Sequence, residues 1–401
     1  MKSKRRIAVF TGNRAEYGLL FPLLKLLRDH EGIDFHLIVS GAHLDKNFGK
    51  TLEMIRNDGF NVSSEVKIDM NMDSLSSTPK AIGSAILSMT QTLENIRPDI
   101  FVVYADRFEG FAAAIASTQM CIPTAHIEGG DITEGGAFDD SVRHAITKLA
   151  HLHFTTNQEA ANRVVSMGEE IWRVHNVGFT GIDLIKDSYI TSEQSLIDQY
   201  KIDVSKPLVL FTQHPVSIEY DDTKKNIEQS LRALWRLANE GVQIVITYPN
   251  NDVGCKIIIE QINYFINNRN NKNIYIYPSL GQKNYYGFLS LALDMNKKIV
   301  CCGNSSSGIK ETPAFYCPTV NIGTRQNGRL RAENVLDVSY DENEIYSKIR
   351  YSLYDVDFRN KCREIINPYG QGDASEKILD VLMKIKLNNE ILNKKMTLVN
   401  F

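Results

Sequence analysis

Short apolar runs alternate with longer amphipathic stretches along the whole of this 401-residue chain. A parallel strand buried on both faces reads as an unbroken apolar run, and the chain must cross back, usually through a helix, before the next strand. The alternation therefore predicts an α/β chain of parallel sheets covered by helices. In the first half the runs fall at 6–11, 35–39, 100–104, 124–127, 152–155 and 173–177. In the second half they fall at 208–212, 243–247, 274–277, 299–302, 319–322 and 335–338. Leu19, Leu20, Leu23, Leu24 and Leu27 recur at helical spacing, so 16–28 is expected to bury a leucine face as core.

A chain of this length suits about two domains of 150–200 residues better than one core. The expectation is two Rossmann-like domains facing each other across a cleft, 1–183 and 184–372, followed by a tail, 373–401. The halves share a rhythm but no sequence repeat. The amphipathic start of the tail is expected to pack back on the first domain. The asparagine-rich stretch 267–273 reads as a solvated loop.

Lys and Arg total 45 against 48 Asp and Glu, a net charge of −3. That balance argues against a nucleic-acid partner, yet allows an anionic small molecule held by a few arginines and helix starts. None of the six cysteines forms a C-x-x-C pair, and several lie in apolar runs, as in 299–302. They read as buried free thiols in a reducing cytoplasm. The basic start, MKSKRRIAVF, has too short an apolar run for a signal sequence, and no run reaches the roughly 18 residues of a membrane span. A cytoplasmic chain with no membrane partner is expected. His126, His144, His151 and His153 lack zinc-ligand spacing with cysteine, and no G-x-G-x-x-G is present, so neither metal nor dinucleotide cofactor is expected.

In open parallel sheets, ligands bind outside the carboxyl ends of strands. Chemically capable residues do cluster there. After the first run comes Thr11-Gly12-Asn13-Arg14, with Arg14 placed for a phosphate or sugar. After the third comes Asp106-Arg107, and after the fourth His126-Ile127-Glu128-Gly129-Gly130-Asp131. Asp139-Asp140-Ser141-Val142-Arg143-His144 then opens a helix, on which Asp139 shares a face with Arg143 and Asp140 with His144. Asp106, Glu128 and Asp139 read as an acid–base cluster, although Asp140 could equally cap the helix and Arg143 form a salt bridge.

In the second half, His214 stands directly past a strand and before Pro215, and Asn250 follows the next strand. Leu280 and Gly281 follow the third, with Tyr285 behind them, on a loop where a nucleobase could rest. Gly303-Asn304-Ser305-Ser306-Ser307-Gly308 leads from a strand into a helix, where N–H groups and hydroxyls can hold an anion. Glu311, about one turn in, can accept ribose hydroxyls. Arg325 and Arg329 follow the next strand, either for phosphates or to stiffen the loop.

Taken in order, TGNRAEYG, GAHLDKNFG, ADRFEG, HIEGGD, DDSVRHAITKLAHLHF, QHPV, GNSSSGIKE and NIGTRQNGR span 11–329. This ordered set resembles the hydrolysing UDP-N-acetylglucosamine 2-epimerases. The resemblance implies a GT-B-like fold, dimeric or tetrameric, converting UDP-N-acetylglucosamine and water into N-acetylmannosamine and UDP for sialic-acid synthesis. UDP is eliminated to give a glycal, and water adds with inversion at C2. Carried over by motif, Asp106, Glu128 and Asp139 form the acidic catalytic group with His214 assisting. Arg14, Asn250, Ser305, Ser306, Glu311 and Arg325 hold UDP, and Arg107 joins the binding group.

Two segments depart from related patterns. Where non-hydrolysing 2-epimerases carry Gln-His after the second strand, this chain reads Ala42-His43, which favours hydrolysis. The stretch 131–137 is longer than the sialic-acid enzymes lead one to expect. It suits a pocket for UDP-N,N'-diacetylbacillosamine, the substrate of the related legionaminic-acid enzymes. The competing readings are a non-hydrolysing 2-epimerase, a GT-B glycosyltransferase and a nucleotide-sugar sensor without turnover.

Overall fold

A computed structural model describes residues 4–45, 51–68, 76–133, 137–186, 190–250, 254–267, 269 and 271–398. Positions 46–49, 134–136, 251–252, 268 and 270, which fall in segments singled out above, lie outside the described residues. The chain forms two compact units. The first comprises Met1–Ile132, Phe138–Leu184 and Tyr369–Phe401, and the second Thr133–Ala137 and Ile185–Pro368.

The first unit holds seven strands: β1 (Arg5–Thr11), β2 (Ile33–Ser40), β3 (Val62–Val66), β4 (Ile100–Tyr104), β5 (Thr124–Ile127), β6 (Leu152–Thr155) and β7 (Val174–Asn176). They pair in parallel in the order β3-β2-β1-β4-β5-β6-β7. In β1, Ile7 and Val9 pack on one face with Leu20, Leu23, Leu24 and Leu27 of the helix Arg14–Asp29. Ala8 and Phe10 turn to the other face, toward Met89 and Leu93 of the helix Ser77–Ile96 and Ala113 of the helix Phe108–Gln119. Each fully buried leucine contributes about 1.5–3 kcal/mol, so these two layers fix the register of the central strand. Leu19, at the margin of the stripe, is only half-buried.

Strand β3 was not among the apolar runs. Its sequence, Val-Ser-Ser-Glu-Val, alternates because it is an edge strand, half of whose side chains face water. The segment expected as a strand at 173–177 begins as a 3-10 turn, Ile171–Arg173, and only Val174–Asn176 pairs.

The second unit holds β8 (Leu208–Thr212), β9 (Gln243–Thr247), β10 (Ile274–Tyr277), β11 (Ile299–Gly303), β12 (Thr319–Ile322) and β13 (Val335–Val338). Their order is β10-β9-β8-β11-β12-β13, again parallel. Val209, Phe211, Ile244 and Ile246 meet Leu231, Leu234 and Leu237 of the helix Thr223–Asn239.

Beyond Pro368 the chain returns to the first unit. The Asp183 carboxylate accepts from the Ala374 and Ser375 N–H groups at 3.1 and 2.6 Å, at the start of the helix Ala374–Lys384. Ile378 and Leu382 of that helix enter the leucine core of Arg14–Asp29. The buried Arg173 guanidinium donates to the carbonyls of Glu390 and Ile391 at 2.8 and 2.7 Å, which fastens the end of the tail. All six cysteines are free; Cys301, Cys302, Cys317 and Cys362 are buried, whereas Cys121 is exposed. No helix among the described residues is long and apolar enough to cross a membrane.

Candidate active site

Both sheets run outward in opposite directions from a central pair, β1 with β4 and β8 with β11. Loops diverge at such a switch point and leave room for a ligand at the carboxyl ends. The candidate residues concentrate at these two places.

In the first unit, β4 ends in Ala105, a non-glycine residue in the left-handed region (φ 54°). Two contacts hold this costly turn. The Ala105 N–H donates to the Ile127 carbonyl at 2.9 Å. The Ala105 carbonyl lies 2.7 Å from His126 Nε2, so that nitrogen carries the proton and donates. Burial lowers the His126 pKa to about 3, which keeps the ring neutral in this structural role. Asp106 therefore leaves the sheet in a fixed direction. Glu128, past β5, is also left-handed (φ 64°). Its Oε1 accepts from the Tyr104 hydroxyl at 2.6 Å.

Arg143 ties the two carboxylates together from the helix Ala137–Leu149. One guanidinium nitrogen pairs with Asp106 Oδ2. Nη1 donates to the Glu128 carbonyl at 3.2 Å and lies 3.7 Å from Glu128 Oε2, and Nε is 3.8 Å from Asp140 Oδ1. The side chain is 2% exposed. Burial alone would lower its pKa, but the carboxylates, Asp106 foremost, raise it overall and keep it charged. Asp139 and Asp140 lie inside the first turn of this helix and are not its caps, because the helix starts earlier, at Ala137. Asp139 is exposed, and its charge acts on Arg107. Arg107 precedes the helix Phe108–Gln119 and places Nε 3.7 Å from Glu109 Oε2. Arg14 is exposed at the start of its helix, which Asn13 caps through the Glu16 N–H at 3.0 Å.

In the second unit, the switch point is a hydrogen-bonded rack. Gly303 (φ 124°) ends β11 so close to β8 that a Cβ there would stand 1.9 Å from the Thr212 carbonyl oxygen. Only glycine permits this approach. The buried Asn304 side chain then locks the β8 turn. Its Oδ1 accepts from the His214 N–H at 2.6 Å and its Nδ2 donates to the His214 carbonyl at 2.9 Å. The Asn250 N–H donates to His214 Nδ1 at 3.1 Å, which leaves the proton on Nε2. Burial, with Arg325 nearby, lowers the His214 pKa to about 3. His214 is thus a neutral hydrogen-bond donor, not an imidazolium acid.

The Asn304 carbonyl collects Arg325 Nη1 at 3.1 Å and Gln326 Nε2 at 2.8 Å, which holds the loop after β12 against the serine turn. Arg329 Nη1 donates to Gln326 Oε1 at 2.8 Å, so this arginine stiffens the loop. The Tyr285 hydroxyl lies 2.7 Å from Ser307 Oγ, which lies 3.0 Å from Ser305 Oγ. Leu280 and Gly281 begin the same helix as Tyr285, with Leu280 buried.

The helix after the serines is short. It covers only Ser307–Lys310, and a 3-10 turn, Thr312–Phe315, with Pro313 near its start follows. Proline removes an N–H and blocks helix continuation. Glu311 therefore stands at the end of a single turn, and hydroxyls and N–H groups, more than a long helix dipole, carry the anion-binding capacity here.

The fold gathers Asp106, Glu128, Asp139 and Arg107 in the first unit, and His214, Asn250, Tyr285, Ser305, Ser306 and Arg325 in the second. The sequence reading passed over Tyr104, Asn304 and Gln326. It also passed over Glu16 and Glu109, both buried beside Gly12. Glu16 was visible in one respect: it lies at helical spacing from Leu20, Leu23 and Leu27, on the buried face. Among the described residues, no three His, Cys, Asp or Glu side chains converge as metal ligands.

Two parallel sheets with chemistry at each switch point define an α/β protein of the paired Rossmann-like class, and comparison with known proteins specifies which. The profile of the UDP-N-acetylglucosamine 2-epimerase family matches residues 25–383, and the chain belongs to that family. It is 36% identical, over 97% of its length and 98% of the relative's, to the UDP-N,N'-diacetylbacillosamine 2-epimerase (hydrolyzing) of Legionella pneumophila. It is 33% identical, over 84% of each chain, to the GDP/UDP-N,N'-diacetylbacillosamine 2-epimerase (hydrolyzing) of Campylobacter jejuni. The UDP-N-acetylglucosamine 2-epimerase of Neisseria meningitidis is 29% identical over 86% of this chain and 87% of its own. Among solved structures, the Neisseria meningitidis UDP-GlcNAc 2-epimerase bound to UDP-GlcNAc has the same fold, with a TM-score of 0.76 at 21% identity over 95% of this chain and all of that one.

Proposed function

We propose that this protein is a hydrolysing 2-epimerase of a UDP-linked amino sugar and that UDP-N,N'-diacetylbacillosamine is its substrate. The observation that carries the reaction type is the first-unit cluster, in which buried Arg143 holds Asp106 and Glu128 side by side on strained turns. The reaction needs one carboxylate to take the proton from C2 as the C1–oxygen bond to UDP breaks, giving a glycal. It then needs water at C1 and a proton at C2 from the opposite face. The sum is UDP-sugar plus water going to UDP plus the free 2-epimer. Asp106, Glu128 and Asp139 supply these proton transfers.

The second unit stabilises the departing diphosphate. Arg325, the Ser305 and Ser306 hydroxyls, the turn N–H groups and His214 Nε2–H are fixed donors, so no reorganisation is needed as charge develops. Asn250 and Arg14 assist in holding the nucleotide, Glu311 accepts ribose hydroxyls, and Leu280, Gly281 and Tyr285 receive the base. No step calls for a cofactor. Similarity over 97% and 84% of this chain to two hydrolysing diacetylbacillosamine enzymes favours that sugar over UDP-N-acetylglucosamine, the second reading, which the Neisseria meningitidis relative supports. A cytoplasmic homodimer or homotetramer serving nonulosonic-acid synthesis is the setting we propose.

The test is NMR product analysis in deuterated water with each UDP-sugar separately. Free 2-epimerised sugar carrying deuterium at C2, formed faster from the diacetylbacillosamine compound, is the expected result. A UDP-linked epimer would assign the non-hydrolysing reaction, and sugar transfer without a free epimer the glycosyltransferase.

A further inference from the structure

Glu16 and Glu109 are 5% and 1% exposed, and neither has a part in the chemistry above. They approach Gly12 from two elements. A Cβ on Gly12 would lie 3.6 Å from both Glu16 Oε2 and Glu109 Cγ. A Cβ on Gly41, past β2, would lie 3.2 Å from Glu109 Oε1. The loops after β1, β2 and β4 thus meet around two carboxyl groups. Glu16 Oε2 accepts from the Gly12 N–H at 2.8 Å. The other three oxygens, Glu16 Oε1 and both of Glu109, are buried and have no hydrogen-bond partner.

Two buried carboxylates next to one another are costly unless one is protonated. The cation beside them is Arg107, 3.7 Å from Glu109 Oε2. One guanidinium balances one carboxylate, and the ion pair belongs to Glu109. The proton therefore belongs on Glu16. Burial, then the Glu109 charge, raises the Glu16 pKa to about 8, in keeping with that assignment. The other charges acting on the pair are Asp106 past β4 and Asp139 at the start of Ala137–Leu149; His43 stands past β2, two residues after Gly41. Burial lowers the His43 pKa to about 4, so this ring, 3.1 Å from Thr11 Oγ1, brings no charge at neutral pH.

We propose that Glu16 and Glu109 form a one-proton carboxyl pair in which Glu109 positions Arg107 next to Asp106 and Asp139, and loss of the Glu16 proton sets an alkaline limit on the reaction. The catalytic part rests on the function proposed above; the shared proton does not. Once Glu16 ionises, two buried charges compete for Arg107 and the second repels Asp106. Glu16→Gln keeps an acceptor for the Gly12 N–H and stays neutral at every pH. Glu109→Gln removes the anchor of Arg107, and Glu109→Asp keeps its charge.

Infrared difference spectroscopy of the full, unmodified protein reads the proton directly. A protonated-carboxyl stretch that disappears between neutral pH and about pH 9 is expected, and Glu16→Gln should remove it. If the unmodified protein shows no such band, the pair is overturned whatever the enzyme acts on. The kinetic arm uses the UDP-sugar turned over in the NMR assay. Glu16→Gln should move the alkaline limb of kcat/KM upward by about one pH unit or more. Glu109→Gln should raise KM several-fold more than it lowers kcat, with partial recovery in Glu109→Asp. An unmoved limb, or a KM indifferent to Glu109, overturns the positioning role even where the band is present. Absence of turnover on any UDP-sugar counts against the proposed function and leaves the infrared result standing.

Discussion

The two switch points share a topology but not a chemistry. At β1 and β4, ions meet left-handed residues: buried Glu128 and Arg143 and half-buried Asp106 sit among Ala105 and Glu128 turns that L-amino acids adopt at a cost. At β8 and β11, the strain is confined to a glycine; Asn304 and His214 bond to each other and Ser307 to Ser305, with the Arg325 guanidinium on the Asn304 carbonyl. On the function proposed above, the contrast separates two tasks. Moving a proton needs groups whose charge can change, and those must be fenced in by counter-ions. Holding a diphosphate needs donors whose charge does not change, which a guanidinium, amides and hydroxyls supply.

The contrast can be broken most forcefully at its charged end. Asp106→Asn and Glu128→Gln should each lower kcat by about 10²–10⁴-fold. Calorimetry should still show UDP binding close to that of the parent, because neither residue belongs to the serine rack. Equal losses of turnover and UDP affinity would erase the division of labour.

Next in size is Arg143→Met. Removing one partner of a buried ionic group leaves carboxylates unpaired and costs about 3–5 kcal/mol. A lowered urea midpoint, with loss of turnover, is expected. In the second unit, Ser306→Ala or Arg325→Ala should weaken UDP binding, by about 1–3 kcal/mol for a lost donor to a charged group, while the proton-transfer step is spared in single-turnover assays at saturating substrate. Unchanged UDP affinity in both would remove the anion site from the second unit.

Stability against pH reads both switch points at once, and its two arms have opposite signs. His126 and His214 have folded pKa values lowered from 6.5 to about 3, so the unfolded chain binds more protons between those values. Stability should fall as pH drops through that window. Glu16 has a folded pKa raised from 4.5 to about 8, so there the folded chain binds more protons. Its contribution should fall as pH rises through 4.5 to about 8, at up to about 1.4 kcal/mol per unit. Glu16→Gln should flatten the upper arm and leave the lower one, measured by urea unfolding at several pH values.

Much of this was legible in the residues. Strands such as Ile100–Tyr104 and Leu208–Thr212 coincide with their apolar runs because central parallel strands are dry on both faces. Edge strand β3 left no such trace. The acidic cluster was readable because its members follow strands, but its organiser was ambiguous: Arg143 could have been a surface salt bridge, and only tertiary packing shows it buried. Likewise nothing in His126-Ile127-Glu128 tells that the histidine serves the backbone of Ala105, twenty-one residues earlier. The serine turn was visible, while the shortness of its helix required weight on Pro313. Glu16 was overlooked because a leucine stripe invites one to read only leucines.

The return of the chain at Tyr369 has a consequence for synthesis. As the ribosome releases the polypeptide, every residue of the second unit emerges before the helix Ala374–Lys384 exists. Until then the leucine face of Arg14–Asp29 lacks Ile378 and Leu382, and Arg173 lacks the Glu390 and Ile391 carbonyls. The unit that begins first is therefore finished last, and its leucine face stays uncovered by Ile378 and Leu382 until the chain beyond Pro368 has been made.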